Sequence, residues 1–251
     1  MTPVLVLGDS HALVFSSEKM TELFPEHSFE VTSVGGATVS GLKNPNAVTQ
    51  AMPQYLAALE ATNAKTAIVM LGEVDTGFVI WYRAQKHGSA VDQMLEQAIT
   101  NYQKLLRDLA KTFDVICVST PLPTIQDDVQ WGEVANLRKE VTASLAERTE
   151  LTIKFNRMMG AFCDREGVSH LNFDHMSLDD TGVLKNHLRN PDPGNHHYDP
   201  AAHAVMIEPR LRPLLARCRH TTDQSAAPDS TTIQVKRSPF SMLWRLFQHR
   251  Q

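Results

Sequence analysis

Cysteine is scarce in this sequence, and its distribution does not suggest disulfide bonds. Only three cysteines occur in 251 residues, Cys117, Cys163 and Cys218. They are far apart and odd in number, and they form no Cys-x-x-Cys pair of the kind that marks redox or zinc sites. They therefore fit reduced thiols, and Cys117, which stands inside an apolar run, is a candidate core residue.

Long hydrophobic runs and an excess of basic charge are also missing. No stretch approaches the roughly 18 apolar residues that span a bilayer, and the short run Val4–Leu7 lacks the basic flank of a signal peptide. The formal net charge is −4, so no positive field favours binding to a phosphate backbone. These absences predict a cytoplasmic protein that does not bind nucleic acid.

Short apolar runs alternate along the chain with longer segments of helical period. Uniformly apolar runs are typical of parallel strands that are buried on both faces. The predicted strands are Val4–Leu7, Glu30–Val34, Ala67–Leu71, Val115–Ser119 and Ser169–Asn172. The predicted helices are His11–Leu23, Ala47–Ala61, Ala90–Thr112, Val134–Glu166 and Ala201–Arg217. We therefore predict one three-layer α/β domain over residues 1–220, with a mostly parallel sheet of about five strands and helices on both faces.

The composition changes after this domain. Residues 221–235, rich in Ser, Thr, Ala and Asp, are predicted to form a flexible linker. Residues 236–251 carry apolar side chains at helical spacing among basic ones, including Trp244 and Phe247. This pattern predicts a short basic amphipathic helix, which either docks on the domain or makes weak contact with a membrane or a protein partner.

Three predicted strands end in turns that carry small or acidic residues. Gly8-Asp9-Ser10-His11 follows the first strand, and it is either a helix N-cap or a turn that presents Ser10 as a nucleophile. Gly35-Gly36 follows the second strand, and Gly72-Glu73-Val74-Asp75 follows the third. For both segments the alternative is an ordinary turn. Because parallel strands end at one edge of a sheet, we expect Glu73 and Asp75 to face the same crevice as Ser10.

A loop before the last predicted helix holds the densest cluster of ionisable residues. Within residues 190–200 lie Asp192, His196, His197 and Asp199. A histidine of near-neutral pKa is the base that an unactivated serine needs, and a carboxylate can fix its tautomer. His and Asp are also metal ligands, but no His-x-x-x-His pair accompanies them. The sequence favours a base over a metal site.

In this order the blocks resemble those of the SGNH (GDSL-type) hydrolase superfamily, over roughly residues 4–217. Gly8-Asp9-Ser10 resembles the first block, Gly36 the second, Gly72–Asp75 the third, and His197–Ala204 the last. The resemblance implies an esterase that needs no cofactor. In it Ser10 would be the nucleophile, His197 rather than His196 the base, and the N–H groups of Ser10 and Gly36 the oxyanion donors.

The chain departs from the family pattern at two positions. Val74 stands where the family has an Asn that donates to the oxyanion, and Gly194 stands where it has the Asp of the triad. Asp192 is our candidate for the orienting carboxylate, with Asp199 as the second choice. Gly-Glu-x-Asp followed by Arg83 also resembles a bacterial subgroup linked to surface polysaccharides, which suggests an O-acyl ester of a carbohydrate as substrate, with Glu73, Asp75 and Arg83 as binding residues.

The segment between these blocks, residues 76–83, is unusually aromatic. Trp81 and Tyr82 either pack under a loop or form a substrate wall, with Arg83 binding an anion. Two alternatives to an esterase remain at this point. One is a catalytically silent domain that binds a glycan or protein, favoured by Val74 and Gly194. The other is a metal-dependent or phosphodiester hydrolase that uses His196, His197, Glu73 and Asp75.

Overall fold

The computed structural model describes residues 1–127 and 141–223, with side chains described as far as residue 217. Its centre is a sheet of five strands that pair in parallel in the order β2-β1-β3-β4-β5. The strands are β1 Thr2–Gly8, β2 His27–Ser33, β3 Thr66–Met70, β4 Asp114–Val118 and β5 Ser169–Leu171. The predicted α/β class and the five parallel strands are confirmed.

Helices cover both faces of this sheet. They are α1 Glu18–Leu23, α2 Ala51–Ala61, α3 Ile80–His87, α4 Val91–Leu109, α5 Leu145–Glu166, α6 Asp174–Ser177 and α7 Pro200–Asp223, with 3₁₀ helices at Ser10–Ser16 and Asn186–Leu188. No helix of the described ranges is long and apolar enough to cross a membrane.

Alternate residues of each strand pack against opposite layers. Leu5 and Leu7 of β1 belong to the cluster that contains buried side chains of α2, α4 and α5. Val4 and Val6 belong to the cluster formed with α1, α7 and the first 3₁₀ helix. Every one of these four side chains is buried, which explains why the strands read as apolar runs without alternation.

Several boundaries differ from the predictions. The helix expected over His11–Leu23 is divided at Ser17, whose hydroxyl accepts the N–H of Met20 and caps α1. The helix expected from Val134 is described from Leu145, where Ser144 and Glu147 form a capping box.

The last helix continues through Thr221 to Asp223, so the first three residues of the predicted linker are helical. The rest of the linker and the basic helix over 236–251 lie outside the described residues. The domain limit at residue 220 stays a prediction.

The helical segment over residues 75–87 was not predicted, and neither were the short helices Asp174–Ser177 and Asn186–Leu188. A π-helical turn at Asp75–Val79 leads directly into α3. The indole N–H of Trp81 donates to the Thr76 carbonyl at 2.7 Å, and the indole packs against the core. The ring of Tyr82 stacks on Phe78 with 5.6 Å between centroids. The aromatic segment is therefore a helix that packs on the domain, and its β-branched and aromatic residues concealed the helical period.

The carboxyl end of β1 is held from both neighbouring strands. The Gly8 carbonyl accepts the Val34 N–H at 2.9 Å and the buried Tyr55 hydroxyl at 2.8 Å. The Asp9 N–H donates to the Met70 carbonyl at 3.3 Å. These bonds fix the point at which the chain leaves the sheet and turns into the first 3₁₀ helix.

The absence of a side chain at Gly8 is the condition for this close approach. A Cβ there would lie 2.4 Å from the Met70 oxygen and 2.5 Å from the Ala12 Cβ, whereas a Cβ at Gly35 would meet nothing within 4 Å. We expect Gly8→Ala to lower the free energy of unfolding by at least about 3 kcal/mol, because both contacts require backbone to move. Gly35→Ala, the control, should change it by less than about 0.5 kcal/mol. Urea denaturation measures both, and similar midpoints for the two variants would contradict the argument.

Candidate active site

Ser10 is the first residue of the 3₁₀ helix that follows β1. The side chain of Asp9 caps this helix by accepting the N–H of His11 at 2.9 Å. Ser10 itself is half-buried at the carboxyl edge of the sheet. The cap and the first turn therefore place the hydroxyl of Ser10 at the edge where the other strand-end turns also lie.

His197 reaches Ser10 from the other end of the chain. Its Nε2 lies 2.8 Å from the Ser10 Oγ, across 187 positions of sequence. The residues on either side of His197 anchor its loop. The buried hydroxyl of Tyr198 accepts the Leu122 N–H at 2.8 Å, and the His196 carbonyl accepts the Thr124 hydroxyl. The structure thus brings together the two residues that the sequence assigned as nucleophile and base.

Asn195 occupies the other side of the imidazole. Its Oδ1 lies 2.7 Å from Nδ1 of His197 and also accepts the backbone N–H of His197 at 3.0 Å. The backbone N–H can only donate, so the amide oxygen, not its nitrogen, faces the ring. Nδ1 then carries the proton, and the lone pair of Nε2 faces the hydroxyl of Ser10.

Neither aspartate that we considered for this role takes it. Asp192 is exposed, and its Oδ1 accepts the Gly194 N–H at 2.8 Å within its own turn. Asp199 caps the start of α7 by accepting the Ala202 N–H at 2.7 Å. The orienting contact expected from Asp192 is made by Asn195. Asn and His two residues apart form an Asx turn, which is the local signal that could have identified it.

Two further histidine rings pack around His197. The centroid of His196 lies 4.2 Å away and that of His11 lies 4.6 Å away. His11 is buried, and its Nδ1 lies 3.2 Å from Oδ1 of Asp9. No role was predicted for His11 from the sequence. It follows Ser10 directly, but only the fold shows that its ring turns toward the loop of His197.

Gly36 stands in an exposed turn after β2 with φ of 72°, a left-handed conformation that favours glycine. The hydrogen bonds that close the turns around Ser10 and Gly36 are donated by Ala12, Val34 and Ala37. These bonds do not use the N–H groups of Ser10 and Gly36 themselves.

Asp75 holds the loop that follows Gly36. It is fully buried, and its two oxygens accept the N–H groups of Val39 at 2.7 Å and Ser40 at 3.0 Å. Burial raises the pKa of Asp75 to about 6, although these hydrogen bonds oppose the shift. Asp75 therefore faces the loop backbone. We had expected it to face a crevice shared with Ser10, and that expectation is wrong.

Glu73 and Arg83 are the other two residues that were predicted to bind substrate. Glu73 is buried, with its carboxylate beside the Cα of Gly77. Val74 is half-buried at the start of the π-helical turn. Arg83, on α3, donates to Oε1 of Gln97 on α4 at 3.4 Å. Among the described residues, no group of three His, Cys, Asp or Glu side chains is placed to hold a metal ion.

Comparison with known proteins identifies relatives by structure only. No protein-family model matches the sequence, and no curated protein matches it. A carbohydrate acetylesterase family member from Sinorhizobium meliloti superposes with a TM-score of 0.56 at 14% identity, over 86% of this chain and 100% of the other. A protein named for arylesterase activity, from Agrobacterium tumefaciens, gives 0.54 at 15% identity, over 88% and 99%.

These likenesses span nearly the whole of both solved chains, at identities too low to carry more than the fold. The expected fold is confirmed: the chain shares the α/β fold of these two solved proteins, as the resemblance to the SGNH (GDSL-type) hydrolases implied.

Proposed function

We propose that this protein is a serine esterase that cleaves O-acyl esters, with Ser10 as nucleophile and His197 as general base. The observation that carries the proposal is the 2.8 Å contact between the Ser10 Oγ and Nε2 of His197. A serine hydroxyl becomes an effective nucleophile when an adjacent base removes its proton during attack.

In the proposed reaction, Oγ of Ser10 attacks the acyl carbon while Nε2 of His197 takes the hydroxyl proton. The N–H groups of Ser10 and Gly36 stabilise the oxyanion. His197 then gives its proton to the leaving alcohol, and an acyl-enzyme remains on Ser10. A water molecule, deprotonated by His197, releases the acid and restores the serine.

Asn195 supports this reaction by position and not by charge. It holds the imidazole in the tautomer that the base needs, but a neutral amide stabilises the imidazolium that forms less than a carboxylate would. The names of the structural neighbours, an arylesterase and a carbohydrate acetylesterase, are consistent with ester hydrolysis and with a carbohydrate ester as substrate.

A catalytically silent binding domain is the second candidate. Val74 supplies no side-chain donor to an oxyanion, and Asn195 supplies no charge to His197. Both features would weaken catalysis. The Ser10–His197 contact favours the esterase.

Ser10→Ala should abolish labelling of the protein by a fluorophosphonate probe and the hydrolysis of an aryl ester. The folded state should persist, because Asp9 and not Ser10 caps the 3₁₀ helix. Gel-based probe labelling and thermal unfolding measure the two effects. Undiminished turnover by this variant would refute the assignment of Ser10.

His197→Ala should lower kcat by at least about 100-fold, because general base catalysis contributes roughly 10²- to 10⁴-fold. His196→Ala is the matched control and should stay within a few-fold of wild type, since its ring packs on that of His197, whose Nε2 is the atom that contacts the Ser10 hydroxyl. Steady-state hydrolysis of an aryl acetate compares them. A larger loss for His196→Ala would show that the base was assigned wrongly.

Asn195→Asp should raise the pKa of His197 and increase kcat/KM at least about tenfold above that pKa, because a carboxylate at Nδ1 stabilises the imidazolium. The measurement is the pH profile of kcat/KM. Asn186→Asp, which places the same charge on an exposed residue of another turn, should leave the profile unchanged. Equal profiles for wild type and Asn195→Asp would mean that Asn195 does not act on the base.

A further inference from the structure

A cleft of about 250 Å³ opens beside the Ser10–His197 pair. The buried side chains of Tyr198 and His203 contribute to its lining, as do the exposed Leu13 and the half-buried Ser17 and Asn190. No residue from the turns at Gly35–Gly36 or Gly72–Val74 lines it. The cleft therefore lies on the His197 side of the nucleophile.

The side on which the cleft lies determines which part of an ester it receives. In acyl transfer the base returns its proton to the oxygen of the leaving alcohol, so that oxygen must lie within hydrogen-bond reach of the imidazole. The oxyanion turns away, toward the backbone donors. A cleft bounded by Ser10 and His197 is accordingly the space into which the alcohol portion extends.

The cleft lining is more apolar than polar, and it carries few groups that could pair with an ionic ligand. None of its twelve residues is Asp, Glu, Lys or Arg. Ser16, Ser17 and Asn190 contribute polar side chains to this lining, and Leu13 and Pro200 contribute apolar ones. His203 adds no charge near neutral pH, because burial lowers its pKa to about 3.

Such a lining suits a neutral ring that carries hydroxyl groups on its edge and C–H groups on its face. A phosphate or a quaternary ammonium would lose its hydration here without meeting an opposite charge from a carboxylate, lysine or arginine. The volume is below the roughly 300–1,000 Å³ of pockets that enclose drug-sized ligands, so it fits one ring and not an oligosaccharide.

We propose that this cleft binds the alcohol portion of the ester and that this portion is a single neutral sugar or polyol unit. The inference rests on the proposed esterase function, and it adds the class of alcohol and the residues that select it. Esters of charged alcohols, such as choline or glycerol phosphate, are then poor substrates.

Three acetate esters test the class of alcohol on the wild-type protein: a methyl 6-O-acetylglucoside, acetylcholine and an acetylglycerol phosphate. We expect kcat/KM for the acetylglucoside to exceed that for either charged ester by at least tenfold. Fluorophosphonate labelling is measured alongside. Labelling without this preference would overturn the cleft assignment alone, whereas absence of labelling would overturn the esterase function and the assignment together.

A charge placed in the cleft tests the lining directly. Asn190→Asp keeps an oxygen that can accept the Asp192 N–H, as Oδ1 of Asn190 does at 3.1 Å, and adds a carboxylate to the cleft. The ratio of kcat/KM for acetylcholine to that for the acetylglucoside should rise at least fivefold. Asn186→Asp, outside the cleft lining, should leave the ratio unchanged. Equal ratios for the two variants would overturn the proposal.

Occupancy of the cleft is tested by filling its rim. Leu13 and Val205 are 54% and 53% exposed, and only Leu13 lines the cleft. Leu13→Trp should lower kcat/KM for the acetylglucoside at least tenfold, whereas Val205→Trp should leave it within twofold of wild type. If both tryptophans have the same effect, the sugar does not enter this cleft.

Discussion

The carbonyl of Gly8 receives two hydrogen bonds, from the Val34 backbone and from the Tyr55 hydroxyl, and the rest of the site depends on this arrangement. β1 lies between β2 and β3, so its end cannot shift along the sheet without breaking contacts on both sides. The glycine lets Met70 and Ala12 approach the backbone. Because the end of β1 is fixed, the position of Ser10, two residues later, is fixed as well.

Each of three turns at the same edge is held by a side-chain oxygen that accepts backbone N–H groups. Asp9 does this for the first 3₁₀ helix, Asp75 for the loop after Gly36, and Asn195 for the His197 turn. A carboxylate or amide oxygen bonded to the backbone gives a loop a defined shape without a hydrophobic core of its own. Polar contacts therefore fix the conformation of the loops at this edge, whereas the packing of the apolar layers stabilises the fold.

The sequence predicted most of the fold because buried parallel strands leave a clear signal of apolar runs. It also singled out Ser10, from its position at the end of a strand, and His197, from the resemblance to the SGNH hydrolases, and the structure places the two side chains 2.8 Å apart. The orientation of side chains could not be read in the same way. Glu73 and Asp75 looked like crevice residues, yet both are buried, and Asp75 is bonded to a loop 35 and 36 residues away in sequence. Asn195 was overlooked because an acid was expected, although an amide oxygen accepts the same hydrogen bond.

The separation of Ser10 and His197 along the chain affects the order in which the site forms during folding. A chain made from its N-terminus exposes Ser10 before β2 and β3 have been made, and the end of β1 is fixed only when these two strands pair with it. His197, which supplies the imidazole, lies 187 residues further along the chain. Contacts of such long range form late in folding, after the loops between them have closed. The serine thus acquires its hydrogen-bond partner only when the loop that carries His197 reaches the sheet edge, so chains that end before His197 carry the hydroxyl without the base.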